Sequence, residues 1–277
     1  MFSKQRIYLF ILLSCLVTIF GLTVNIMSKH LPPNESVKAD SSVQTKGTIK
    51  PQPYKSIALV AKAKKVKYQT SHDVQPLYLT FDDGPNEYTA KILAILNKKK
   101  IHATFFMLNG NIKKYQNVVS SLYKSGHSIG CHGVTHDVKK FYLSKRSPLL
   151  EMNTCKKTVL KASGDDTLLI RVPYGSYPNL KAAQKKYLDR AGFIMWDWNV
   201  DSEDWLRRNK TPTYLIHNIV EQVKVQKKHR ITPVILMHDS NITVDSLPKL
   251  IDKLIAMGYT LKPIVESLEP LQFHLKR

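Results

Sequence analysis

From Pro76 onward, short apolar runs rich in β-branched and aromatic residues alternate with amphipathic stretches, and this alternation constrains the fold more than any other feature. The runs are Leu77–Phe81, Ala103–Met107, Ser128–Cys131, Leu168–Arg171, Phe193–Trp196, Pro233–Met237 and Tyr259–Leu261. Between them, Ile216, Ile219, Val220 and Val223 recur at i, i+3, i+4 and i+7, and Leu247, Leu250, Ile251, Leu254 and Ile255 repeat the pattern with an added i+8. That spacing gathers apolar side chains on one helical face. Alternating β and α units predict an α/β protein with a parallel sheet covered by helices. About seven units in about 190 residues suit a closed or nearly closed barrel, with an open doubly wound sheet as the alternative.

The N-terminal part reads differently. Lys4 and Arg6 precede an apolar run from Ile7 to Met27 with only mild interruptions. About 21 residues make a helix of roughly 30 Å, the thickness of a bilayer core. No small-residue exit site precedes Lys29, and the run continues well past Cys15, so 7–27 is expected to be an uncleaved signal anchor, with cleavage and secretion as the alternative. Positive charge before the run places the rest of the chain outside the membrane. Residues 28–75 are rich in Pro, Ser, Lys, Thr and Gln and read as a linker, with a short apolar piece at Ile57–Val60. The folded domain is expected over 76–268.

The full sequence has 42 Lys and Arg against 21 acidic residues, a formal net charge of +21. Such a balance suits anionic surroundings or simply a solvated basic surface. No nucleic-acid recognition motif accompanies it, so nucleic acid is set aside as a partner. Three cysteines are too few for a disulfide framework. A Cys131–Cys155 bridge has only parity in its favour.

In barrels and wound sheets, function collects where strands end. The first predicted strand ends in Thr80-Phe81-Asp82-Asp83-Gly84-Pro85. Adjacent carboxylates there repel each other and call for a cation, although this tetrad taken alone also describes an ordinary turn. The third strand leads into His132 and His136, whose spacing of four would set two imidazoles on one side of a helical turn. With Asp83 they form a two-histidine, one-carboxylate set suited to Zn²⁺, Co²⁺ or Fe²⁺. Arg171, at the end of the fourth strand, could hold Asp82 ionised through a bidentate contact. The fifth leads into Trp198 and the stretch Asp201-Ser202-Glu203-Asp204-Trp205, where aromatic faces and carboxylates suit a sugar site. The sixth ends in Leu236-Met237-His238, with His238 a candidate general acid. Each feature alone has a structural explanation, but five of them in order, each at the end of a predicted strand, do not arise readily by chance.

Together these elements resemble the signature of the polysaccharide deacetylase family, the carbohydrate esterase group that shares the rhizobial chitooligosaccharide deacetylase domain. The matching segments are Thr80–Pro85, His132–His136, Arg171-Val172-Pro173-Tyr174, Asp201–Trp205 and Leu236–His238, within about 76–268. The resemblance implies a distorted (β/α) barrel of seven or eight strands and a divalent metal, commonly zinc. It implies Asp82 as catalytic base and Asp83, His132 and His136 as metal ligands. Arg171 would orient Asp82, and Asp201 would tune His238, the acid. The Tyr174 backbone N–H would stabilise an oxyanion, and Trp205 and Leu236 would line the acetyl pocket. Gly133 departs from the pattern, since the family commonly carries a Ser or Thr there whose hydroxyl steadies the loop.

The function so implied is hydrolytic removal of acetyl groups from N-acetyl sugars of a wall polysaccharide by a membrane-attached, extracytoplasmic enzyme. Peptidoglycan is favoured by the tether and the basic charge. Chitin fragments, exopolysaccharide and O-acetyl xylan stay open, as does a non-catalytic wall-binding module on the same fold. Oligomeric state is not legible.

Overall fold

The structure, a computed structural model, describes residues 75–206 and 211–273. The anchor expected at 7–27, the linker expected at 28–75 except its last residue, and the Ile57–Val60 piece lie outside the described residues. Among the described residues, no helix is long and apolar enough to cross a membrane.

Eight strands form one sheet: β1 (Gln75–Asp82), β2 (Thr104–Met107), β3 (Ser128–Cys131), β4 (Leu169–Ile170), β5 (Ile194–Met195), β6 (Val200–Asp201), β7 (Val234–His238) and β8 (Tyr259–Lys262). The order is β5-β4-β3-β2-β1-β7-β6, with β8 paired to the first half of β1, and every pairing is parallel. The two end strands, β5 and β6, do not pair. The result is a curled half-barrel that stays open along one seam. Seven strands match the apolar runs; β6 is only two residues long, too short to show a period. The C-terminal stretch covers the edge of β5. Asp197 N–H donates to Leu271 O at 2.8 Å, Gln272 Nε2 to Met195 O at 3.0 Å and Phe273 N–H to Asp197 Oδ2 at 2.7 Å.

Strand alternation divides the buried side chains into two groups. Leu77, Leu79 and Phe81 of β1 face outward into the larger core, which the helices cover. Tyr78 faces inward and packs with Phe106, Leu169, Trp196, Val234 and Ile264 in the smaller cluster that fills the half-barrel. The same period carries Asp82 above Tyr78 and Thr80, and His238 above Val234 and Leu236. His132, one step beyond β3, stands above Gly130 in the same way. Three polar side chains thus emerge on the inner face at the carboxyl ends of their strands. Gly130 is required by packing, because a Cβ there would lie 2.5 Å from Phe106 Cδ1.

The helices are α1 (Thr89–Lys99), α2 (Asn109–Lys114), α3 (Gln116–Lys124), α4 (Val138–Phe141), α5 (Ser147–Ser163), α6 (Ala182–Arg190), α7 (Pro212–Lys228) and α8 (Asn241–Ala256). The α7 sequence is rich in β-branched residues, a disadvantage of under about 1 kcal/mol each. Burial of Leu215, Ile216, Ile219 and Val223 at roughly 1.5–3 kcal/mol per side chain outweighs it. Thr211 caps this helix by accepting the Tyr214 N–H, and Pro212 opens its first turn. In α8, Leu247, Leu250, Ile251 and Leu254 are buried, but Ile255 is 48% exposed. Eight residues carry it about 80° past Leu247, off the stripe.

Candidate metal and acid–base site

Asp82 is the last residue of β1 and is 2% exposed. Its Oδ1 accepts a hydrogen bond from Arg171 Nη1 at 2.9 Å. Arg171 is fully buried over the Phe106 ring, 4.4 Å from its centroid. Its Nη1 also donates to Thr80 Oγ1 at 2.7 Å, Nε to Trp196 O at 3.1 Å and Nη2 to Asp197 O at 3.0 Å. The contact with Asp82 is therefore made by one nitrogen and not by the bidentate fork expected, because two backbone carbonyls engage the rest of the guanidinium.

Asp83 leaves the strand with φ 68°. In a continued strand its side chain would face away from Asp82; here its carboxylate turns to the same rim. Its Oδ1 lies 3.5 Å from His132 Nε2 and 3.3 Å from His136 Nε2. It is buried and has no hydrogen-bond partner. His132 is buried, with Nδ1 2.7 Å from Arg171 O. A carbonyl oxygen only accepts, so Nδ1 carries a proton and Nε2 is the nitrogen turned toward Asp83. Burial lowers the pKa of His136 below its ordinary value against the pull of Asp83, which favours the neutral ring a ligand needs. One ligand atom from each of Asp83, His132 and His136 falls within 4.8 Å of the others. Two imidazole nitrogens facing an unpartnered carboxylate oxygen suit a divalent cation.

His132 and His136 do not share the helical turn expected from their spacing. His132 follows β3 directly, and His136 lies in a loop with φ 45°. Gly133, at φ 96°, opens that loop in the left-handed region, close against Phe141 and Glu151. The steadying contact comes from Glu151 on α5. Its Oε2 accepts Val134 N–H at 2.8 Å and Thr135 N–H at 3.0 Å, and its Oε1 accepts the Thr135 hydroxyl at 2.7 Å. Nothing in the sequence around Glu151 marked it, since it belongs to a helix 15 residues beyond the motif.

His238 ends β7 with its Nε2 4.0 Å from Asp83 Oδ2. Its Nδ1 lies 2.7 Å from Asp204 Oδ1, and its backbone N–H donates to Asp204 Oδ2 at 2.7 Å. Burial disfavours the charged ring, but the hydrogen bond and charge of Asp204, with Asp82 and Asp83 nearby, overcome this and raise its pKa to about 9. Burial likewise opposes ionisation of Asp204, yet its bonds to His238 and Thr243 hold its pKa below the usual value.

Asp204, not Asp201, thus stands behind His238, which corrects the assignment made from the motif. In register Asp201 pairs with Leu236, two steps and about 6.6 Å below His238. Its Oδ1 instead accepts Glu203 N–H at 2.9 Å and Trp205 Nε1–H at 3.4 Å, shaping the turn that raises Asp204 to the level of the imidazole. Trp205 is 58% exposed at this rim, and Leu236 is buried on the inner face beneath His238. Tyr174 donates its hydroxyl to His136 O at 3.0 Å, and its ring lies 4.6 Å from the His136 ring. Asp83, His136, Tyr174 and Glu203 are four non-glycine residues with positive φ, all at this rim. Such backbone, at about 1–3 kcal/mol each, is retained where function fixes the geometry.

Elsewhere, Cys131 and Cys155 are both free and buried. His127 is buried and accepts Ala103 N–H through Nδ1 at 3.1 Å, a structural part far from the rim.

The family model "Polysaccharide deacetylase" matches residues 69–193. The Bacillus subtilis protein YheN is 40% identical over 195 residues, covering 70% of this chain and 69% of that protein. A peptidoglycan-N-acetylglucosamine deacetylase of Bacillus cereus is 34% identical over 198 residues, covering 71% of this chain and 72% of the relative. Among solved structures, the polysaccharide deacetylase Bc1974 from Bacillus cereus superposes with a TM-score of 0.66 at 32% identity, over 72% of this chain and 97% of that one. With sequence similarity spanning most of both partners and a shared curled half-barrel, this chain is a hydrolase belonging to the polysaccharide deacetylase family.

Proposed function

We propose that this protein removes acetyl groups from N-acetyl amino sugars of peptidoglycan, using a divalent ion, zinc foremost, held by Asp83, His132 and His136. The observation that carries the reading is that Asp82 and His238, partners across the β1–β7 ladder, both adjoin that ligand set at one rim of the half-barrel, with Asp82 Oδ2 3.8 Å from His132 Nε2 and His238 Nε2 4.0 Å from Asp83 Oδ2. The peptidoglycan deacetylase similar in sequence supports the choice of polymer. When bound, such an ion supplies a Lewis acid that polarises the acetamido carbonyl and acidifies a water.

The chain's own groups supply the rest. Asp82, held by Arg171, accepts the proton of the attacking water. The Tyr174 backbone N–H, at the turn beside His136, donates to the developing oxyanion. Trp205 and Leu236 bound the space for the acetyl methyl group. His238, kept protonated by Asp204, donates to the departing amine. Acetate and a free amino sugar result. The apolar run at 7–27, preceded by Lys4 and Arg6, supports a membrane-anchored enzyme facing the wall.

The test is mass spectrometry of muropeptides after incubation with the purified, zinc-loaded protein. An acetyl-sized loss mapped to one sugar supports the reading; no acetate from any N-acetylated wall glycan overturns it.

A further inference from the structure

Asp239 follows His238 and is 5% exposed, yet it lies outside the ligand set and the acid–base pair. Its Oδ2 accepts the hydroxyl of Thr89, the buried first residue of α1. Thr89 Oγ1 in turn accepts Asn86 N–H at 2.7 Å, and Asn86 Nδ2 donates to Asp239 O at 2.7 Å. These three bonds close a ring between the segment after β1, which carries Asp83, and the segment after β7, which follows His238. Gly84, the residue next to Asp83, lies directly against the Asp239 carboxyl, and a Cβ there would come within 3.0 Å of Asp239 Cγ. Asp239 Oδ1 is buried without a partner. A half-satisfied buried carboxyl is a poor stabiliser, and an apolar side chain of similar size would cost the fold less. Its contacts serve placement instead.

We propose that Asp239 is a positioning residue that, through Thr89 and Asn86, fixes the separation between the Asp82–Asp83 segment and His238. The inference rests on the deacetylase reading. The distance it sets is the 4.0 Å between His238 Nε2 and Asp83 Oδ2. A slack clamp lets the metal ligand and the acid drift apart while leaving the outer substrate contacts in place.

The experiment compares Asp239→Ala, Thr89→Val, Thr89→Ser and the Asp239→Ala/Thr89→Val double variant with the wild-type protein. Turnover on a soluble N-acetylglucosamine oligomer is measured with zinc loaded. Zinc affinity of the metal-free protein is measured by competition with a chromophoric chelator, and folding by thermal melting. Asp239→Ala, which removes the acceptor, and Thr89→Val are expected to lower kcat roughly 10- to 100-fold with KM within about twofold. Thr89→Val is expected to weaken zinc binding about tenfold, while Thr89→Ser, which keeps the hydroxyl, matches wild type. The double variant falls no further than the worse single one, because both break the same ring. Wild-type kcat and zinc affinity in Asp239→Ala and Thr89→Val, or a Thr89→Ser as impaired as Thr89→Val, would overturn the proposal. If the wild-type protein releases no acetate, the deacetylase reading fails, and the zinc affinities of the same variants still decide whether the clamp places Asp83.

Discussion

Asp204 grips His238 at two points, its Oδ1 2.7 Å from the ring Nδ1 and its Oδ2 accepting the backbone N–H at 2.7 Å. The pair raises the imidazole's pKa from its ordinary 6.5 to about 9. A raised histidine pKa means that the protonated form, the one able to donate, is present at neutral pH and is lost as pH rises through about 9. A cation at Asp83 offsets that carboxylate's pull, so the alkaline limb of kcat is expected at or somewhat below that value. Asp204→Asn should move the limb down by about one unit or more, whereas Asp201→Asn should leave it nearly in place. A pH–kcat profile in which Asp201→Asn moves the limb further would reverse the two roles.

Asp82 and the ligand set separate cleanly. Asp82→Asn should cut acetate release about 10²- to 10⁴-fold while zinc content by atomic absorption stays near that of wild type. His132→Ala should lose the zinc itself. Retention of near wild-type turnover by Asp82→Asn would remove it as the base.

Arg171 makes contacts that no other side chain can reproduce. Arg171→Met leaves Asp82 buried without its cationic partner and should cost about 3–5 kcal/mol of stability. Arg171→Lys keeps a charge but not the planar fork and should not restore activity. Urea melts read the first effect; an unchanged midpoint would show that the buried pair contributes little.

Glu151 touches no ligand atom but holds the segment between His132 and His136 through three hydrogen bonds. Glu151→Ala should weaken zinc affinity about tenfold or more with little change in the overall melt. Unaltered affinity would mean that the left-handed turn at Gly133 suffices to hold the loop.

Gly130→Ala tests the packing beneath the rim. Its new methyl meets the Phe106 ring on which Arg171 rests, with an expected cost of about 1–3 kcal/mol. Chemical denaturation measures it, and a neutral outcome would show that the ring can move aside.

Much of the arrangement was legible before any coordinates. Seven strands announce themselves as apolar runs, and Asp82, Arg171 and His238 already stand at their carboxyl ends. The pairing of Asp204 with His238 was not legible. It depends on the register of a two-residue strand against β7 and on the turn after Asp201, and neither leaves a periodic trace. For the same reason the sequence left closed and nearly closed barrels as alternatives, between which the unpaired ends β5 and β6 decide.

The sequence by itself determined which chemical groups end each strand, because apolar runs and the polar residues that close them are short-range features of the chain. The tertiary structure decided which groups meet. Glu151 reaches the loop between His132 and His136 from α5, Thr89 reaches Asp239 from α1, and Arg171 spends one nitrogen on Asp82 and two on carbonyls. Those partnerships follow from sheet register, helix packing and the sharing of hydrogen bonds in a closed interior, where each donor's choice depends on every neighbour at once.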